Sequence, residues 1–273
     1  MSVSVVRLFV LLIALPLLGA AAGNAAQATI GIAPPRVEHL VGPGAMVRDA
    51  ILVTNPGDVT LRVRVEVADF SVEEDGTVVQ LPPGGDPSSL ARYLRVSPLE
   101  MSVSPGQRAV FRYEVKAPEQ FTHLRALLSF VSEPEVPANG GPYVVIATTM
   151  RIPFYVENRR MASGVLHVLQ AQVDRGDDND QLLHLELKVV NQGDRLVRAG
   201  GRLEVQPVDG GPMDTFEVNR AGEAVLPGLT RVWSFTVGPV PPESLIVGLR
   251  LETSWRSEHR SRHLVSAVPA SGD

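Results

Sequence analysis

The sequence predicts an all-β protein: two tandem immunoglobulin-like β-sandwiches behind an export signal. Three observations carry this prediction. β-branched and polar residues alternate with period two from Ile30 onward, the pattern of half-buried strands. Glycine and proline make up 46 of 273 residues, about 17% against an average near 12%, which disfavours long helices. One ordered set of turns and strands occurs twice.

The first 28 residues read as a secretory signal. Arg7 is the only charge before Arg36, Leu8 to Leu18 is apolar, and small residues end in Ala26-Gln27-Ala28. An apolar run this short does not span a bilayer, which needs about 20 residues. Cleavage is expected after Ala28, with Ala22 as the other site. No lipobox cysteine exists at these sites, so an exported, periplasmic, soluble product is expected.

Residues 29–157 form the first predicted domain, with strands near 30–38, 48–54, 60–72, 77–80, 91–97, 108–116, 124–133 and 143–156. In Leu61-Arg-Val-Arg-Val-Glu-Val67 the valines face one way and Arg62, Arg64 and Glu66 the other. Asn55-Pro56-Gly57-Asp58, Asp75-Gly76, Pro82 to Gly85, Pro105-Gly106 and Asn139-Gly140-Gly141 punctuate the strands. Residues 161–268 form the second, with strands near 164–173, 182–191, 196–206, 214–218, 230–238, 245–255 and 261–267. Glu157-Asn158-Arg159-Arg160 is the expected junction.

The repeat links the two halves. Val53-Thr-Asn55-Pro-Gly57-Asp58 returns as Val189-Val-Asn191-Gln-Gly193-Asp194. Val103-Ser-Pro105-Gly106 followed by Val110-Phe-Arg-Tyr-Glu-Val115 returns as Val225-Leu-Pro227-Gly228 followed by Val232-Trp-Ser-Phe-Thr-Val237.

The absence of cysteine excludes disulfides, thiolate metal sites and cysteine nucleophiles. A net charge of −5 argues against a nucleic-acid binder. No serine-hydrolase elbow, zincin motif, phosphate loop or dinucleotide fingerprint is present, so no enzyme, no metal and no cofactor are expected. His259 and His263 read as solvated residues of a hairpin turn. Asp174 to Asp180 is acidic but lacks calcium-loop spacing, and a solvated hairpin is the favoured reading.

The most apolar strand of the mature chain is Pro142 to Val156. Val144, Ile146, Met150, Ile152 and Phe154 form one alternating set, and Tyr143, Val145, Ala147 and Arg151 the other. A last strand that is apolar on both faces either has a covered second face or serves as a binding edge.

The first domain and the two-domain layout resemble the PapD-like periplasmic chaperones of pilus assembly. The matching residues are Ile30-Gly-Ile-Ala-Pro-Pro-Arg36, Ile51-Leu-Val-Thr-Asn55, Val96-Ser-Pro98, Pro105-Gly106, Arg125-Ala-Leu-Leu-Ser-Phe130 and Arg151-Ile-Pro-Phe-Tyr155. The resemblance implies a chaperone that lends its G strand to a pilin-like subunit with an incomplete immunoglobulin fold, with an outer-membrane usher as a further partner. It implies Tyr143, Val145 and Ala147 as lent residues, in a register that a one-residue slip would reverse. It also implies that basic residues hold the subunit's terminal carboxylate between the domains, with Arg36 in the first basic position. The family's second anchor, a lysine, falls at Ile152. Arg151 is the neighbouring candidate, although alternation turns it to the opposite side. The family's Tyr-Arg-Pro junction reads Tyr155-Val156-Glu157. The alternative reading is an exported structural or cell-wall-binding module, since tandem immunoglobulin-like domains also occur there.

Overall fold

The computed structural model describes residues 28–135, 146–161, 164–175, 182–207, 209–219, 223–240, 244–255 and 259–266. Residues 1–27, which hold most of the expected signal, fall outside the described residues, as do Tyr143 and Val145 and residues 176–181 of the acidic hairpin.

Every described element is a strand. In sandwich one, β1 (Gly31–Ala33), β3 (Met46–Thr54), β8 (Arg108–Lys116) and β6 (Leu94–Ser97) form one sheet in that order. The facing sheet runs β2 (Val37–Val41), β10 (Thr148–Asn158), β9 (His123–Pro134), β4 (Leu61–Val72) and β5 (Val78–Leu81), and β7 (Glu100–Val103) also pairs with β4. Sandwich two pairs a sheet of β11 (Leu166–Arg175), β12 (Leu183–Asn191) and β15 (Thr230–Val237) with one of β14 (Asp214–Asn219), β13 (Arg198–Pro207), β16 (Ser244–Trp255) and β17 (His259–Ser266). The predicted fold class is the observed one.

Alternation puts one side of each strand into a core. Ile51, Val53, Phe111, Phe130 and Phe154 are fully buried in sandwich one, and Phe111 meets Phe130 edge-on at 5.4 Å. Leu187, Val189, Val205 and Trp233 do the same in sandwich two.

Four local expectations need correction. The first predicted strand is two, β1 and β2, because Pro34 and Pro35 offer no backbone N–H and interrupt pairing. β1 pairs with β3 and β2 crosses to the other sheet. β7 was not predicted; it is a short stretch before the Pro105-Gly106 turn. The expected junction is half strand: Glu157 and Asn158 end β10, both buried, and the chain turns only at Arg159-Arg160. His259 and His263 lie in β17, opposite Trp255 and Leu251, and not in a turn.

The two repeated corners are built alike. Asn55, wholly buried, donates from Nδ2 to the carbonyls of Val59 and Val103, both at 2.8 Å, and its Oδ1 accepts from Gly57 N. Asn191, also wholly buried, donates to the carbonyls of Arg195 at 2.7 Å and Val225 at 2.9 Å and accepts from Gly193 N. The carbonyls of the two asparagines accept from Gly106 N and Gly228 N. Those glycines hold φ of 69° and 73°, where a side chain would be strained.

Candidate functional site

The site is assembled from the last strand of sandwich one and the seam between the sandwiches. β10 is bounded on one side by β9, which pairs with it from Thr148 to Glu157. On its other side, β2 pairs in parallel only with Phe154 to Asn158. Among the described residues, Thr148 to Pro153 therefore carry an outer edge with no strand on it. Pro153, which lacks an N–H, sits where the edge meets the covered half. Immediately before, Ile146 is 46% exposed and Ala147 is also exposed. Ile152, Phe154 and Val156 point into the core, so Thr149, Arg151, Pro153 and Tyr155 face outward, and Arg151, Pro153 and Tyr155 line the space beside sandwich two.

That outward face meets sandwich two in a third apolar cluster. Phe70, Leu127 and Tyr155 pack against Leu196 and Leu226 across the seam. Polar links flank it. Arg198 donates to Glu38 from both Nε and Nη2, and Arg36 Nε lies 3.3 Å from the same Glu38 oxygen. The guanidinium of Arg198 also lies over the Tyr155 ring. Lys188 Nζ reaches Glu74 at 2.9 Å, and Val232 N donates to the Glu74 carbonyl at 2.7 Å.

Glu157 is buried beside this seam. Burial pushes its carboxyl up to about 8, against the opposing pull of the Leu196 N–H and Arg195; its Oε2 has no hydrogen-bond partner among the described residues.

Between the sandwiches lies a cavity of about 550 Å³. Phe70, Leu127, Pro153 and Tyr155 line one wall; Glu223 and Arg231 line the other. Arg151 projects into it and makes no ion pair among the described residues. Arg231 is buried, donates from Nη2 to Glu223 at 3.0 Å, and keeps an Nε–H without an acceptor. Of the two sequence-level anchors, Arg151 lines this cavity, whereas Arg36 is held outside it on Glu38. Arg231 escaped the sequence reading; as one charged residue in an alternating strand, it gives no local signal. Of the three lent-strand candidates, only Ala147 is among the described residues, and it is exposed at the start of β10.

One further polar network resembles a catalytic arrangement and is not built as one. Ser88 Oγ lies 3.1 Å from His123 Nε2, but His123 Nδ1 has no partner to fix the tautomer. Burial and Arg125 push His123 down to about 4, so it is neutral. Arg125 binds Asp86 and the Phe70 carbonyl, and Asp69 accepts from Ser89 at 2.7 Å. The network clamps the loop of residues 82–90 onto β9. Among the described residues, no group of three or more acidic, histidine or cysteine side chains is placed to hold a metal. No described helix is long and apolar enough to cross a membrane.

No family model matches the chain, and no curated protein matches it. Chaperones predominate among the solved structures that resemble it. The class 5 fimbriae chaperone CfaA is 8% identical, with a TM-score of 0.48 over 88% of this chain and 100% of its own. The E. coli chaperone DraB is 15% identical, with a TM-score of 0.45 over 90% of this chain and 99% of its own. The CsuC–CsuE chaperone–tip adhesion subunit pre-assembly complex of Acinetobacter baumannii supplies a match at 13% identity, with a TM-score of 0.45 over 87% of this chain and 98% of that one. The likeness is one of fold.

Proposed function

We propose that this protein is a periplasmic assembly chaperone that binds a pilin-like subunit by adding the front half of its last strand to the subunit's incomplete sheet. Its two units are residues 29–157 and 161–268, behind an export signal. It has no catalytic step. The observation that supports this reading is the outer edge of Thr148 to Pro153, which among the described residues carries no strand while the rest of β10 is paired on both sides. An uncovered edge offers main-chain hydrogen bonds, and apolar side chains along it supply specificity.

In this reading Tyr143, Val145 and Ala147 enter the subunit's groove. Ile152 and Phe154, which belong to the core, hold the strand in register. The subunit's terminal carboxylate is received in the cavity between the sandwiches by Arg151, with the free Nε–H of Arg231 across from it. Arg36 acts through Glu38, fixing the seam against Arg198.

The test uses the purified full chain and a pilin-type subunit that lacks its last strand. Wild type is expected to form a one-to-one complex on size exclusion, and Tyr143→Asp combined with Val145→Asp to abolish it. Arg151→Ala is expected to weaken it by about tenfold, the loss of one charge-assisted contact. A double variant that binds as well as wild type would end the strand-donation reading.

A further inference from the structure

On the opposite sheet of sandwich one, away from β10, the outer face of β3, β8 and β6 is strongly basic. Arg48, Arg95 and Glu114 stand in one cross-strand row, since Arg48 and Arg95 are both register partners of Glu114. The next row holds Ala50, Arg112 and Ser97. Small side chains on both sides of Arg112 leave an open groove of about 580 Å³. Arg48 takes the Glu114 carboxylate at 2.6 Å. Arg95 and Arg112 are exposed and make no ion pair or hydrogen bond among the described residues. Arg108 and Lys116 extend the same exposed face of β8 at both ends. The other acid lining the groove, Asp49, accepts from the neighbouring Ala50 N.

We infer that this face is a binding site for a carboxylate-rich segment of a partner protein. The cations concentrate on a chain whose net charge is −5, so they do not follow from overall composition. The internal repeat gives a control within the molecule. Arg112 and Glu114 correspond to Ser234 and Thr236 in sandwich two, and Arg48 and Ala50 to His184 and Glu186. The same strands in the same fold are stable without the basic set, so neither sheet formation nor packing requires it. Arginine forks match carboxylates two bonds at a time, and a groove floored by Ala50 and Ser97 admits a side chain between them. A lipid surface fits less well, because the groove is recessed, carries Glu114 and Asp49 among its arginines, and has no exposed aromatic side chain in its lining. The site lies on the sheet that does not contain β10 and does not depend on strand donation.

The test titrates the full chain with octaglutamate at low ionic strength, beside octaglutamine, inorganic phosphate and vesicles of anionic phosphatidylglycerol. Octaglutamate is expected to bind, octaglutamine not to bind, and added salt to weaken the complex. Arg112→Ser, which installs the residue of the second copy, is expected to raise Kd about tenfold, with Arg112→Lys in between. Arg95 and Arg112 are exposed, so unchanged melting of the variants separates lost binding from lost fold. No octaglutamate binding, or equal binding by the combined Arg95→Ser and Arg112→Ser variant, would overturn the site. Phosphate competing as well as octaglutamate would reduce it to a simple anion site. Vesicle capture that octaglutamate does not compete would assign the face to a membrane instead.

Discussion

Asn55 and Asn191 sit 136 residues apart and make the same bonds: two carbonyls held by Nδ2, one glycine N–H accepted by Oδ1, and one glycine N–H on the main-chain carbonyl. The pairing beside each corner also repeats, Leu61 with Val103 and Val197 with Val225. The sandwiches part company at their ends. In sandwich one the first strand breaks at Pro34-Pro35, crosses to the other sheet as β2, and clamps the rear half of β10. In sandwich two, among the described residues, β11 pairs only with β12 and β17 only with β16. A fold conserved at its corner has thus been altered at its edge. In the first copy the rear of β10 is paired on both sides and, among the described residues, its front on one side only, the arrangement that the proposed strand lending requires.

The corner comparison gives the largest expected effect. Asn55→Ala strands two carbonyls and an N–H, and Asn191→Ala two carbonyls and the N–H groups of Gly193 and Val165, so each should cost about 3 kcal/mol in denaturant unfolding. A neutral Asn191→Ala would show that the second corner is only a sequence echo.

The seam comes next. Arg198→Ala removes a charge-assisted pair from the largely buried Glu38 carboxylate while Arg36 stays beside it, a loss of about 2 kcal/mol, less than for a buried pair left with no partner. A double-mutant cycle with Glu38→Ala measures the coupling, and a value near zero would mean that the apolar cluster alone holds the sandwiches together.

Glu157 and His123 give opposite pH responses. The Glu157 carboxyl is raised from 4.5 to about 8, so the folded chain holds the extra proton; its stabilising contribution is complete below about 4.5 and is lost as pH rises through 8. His123 is lowered from 6.5 to about 4, so its contribution is present above 6.5 and is lost as pH falls toward 4. Glu157→Gln should therefore gain on wild type as pH rises from about 4.5, reach its full advantage of several degrees above about 8, and converge with it below about 4.5, at about 2–4 °C per kcal/mol. Identical slopes for the two chains between about pH 4.5 and 8 would mean that Glu157 is already ionised in the fold.

The smallest effect compares Gly106→Ala with Gly228→Ala. Nothing lies within 4 Å of a Cβ at either position, so both should cost about 1 kcal/mol from the positive φ alone. A processing prediction follows from Ala28, which is buried, with its carbonyl accepting from Ser132 Oγ at 2.7 Å. Cleavage after Ala22 keeps this residue in the core and cleavage after Ala28 removes it. The mass of the exported chain distinguishes the two.

Alternation and turn residues made the strands and both corners legible, because those signals are local. Residues 108–116 fall where the valine, phenylalanine and tyrosine pattern puts them. The seam was not legible. Glu38 and Arg198 are 160 residues apart, and nothing near either announces the other. Glu157 and Asn158 look like a polar linker in sequence, yet both are buried: Glu157 lies against Leu196 of the second sandwich, and Asn158 donates to the Phe121 carbonyl of the first. Arg151 was recognisable only as a cation on the outward set; that it faces a cavity depends on where sandwich two sits.

Amide hydrogen exchange along β10, measured with and without a pilin-type subunit lacking its last strand, addresses strand lending itself. The outward-facing amides of residues 148–152 should exchange faster than those of 154–158 in the free chain and become strongly protected in the complex, with the β3–β8 sheet unchanged. A stable complex in which residues 148–153 gain no protection would contradict strand lending and place the subunit elsewhere on the molecule.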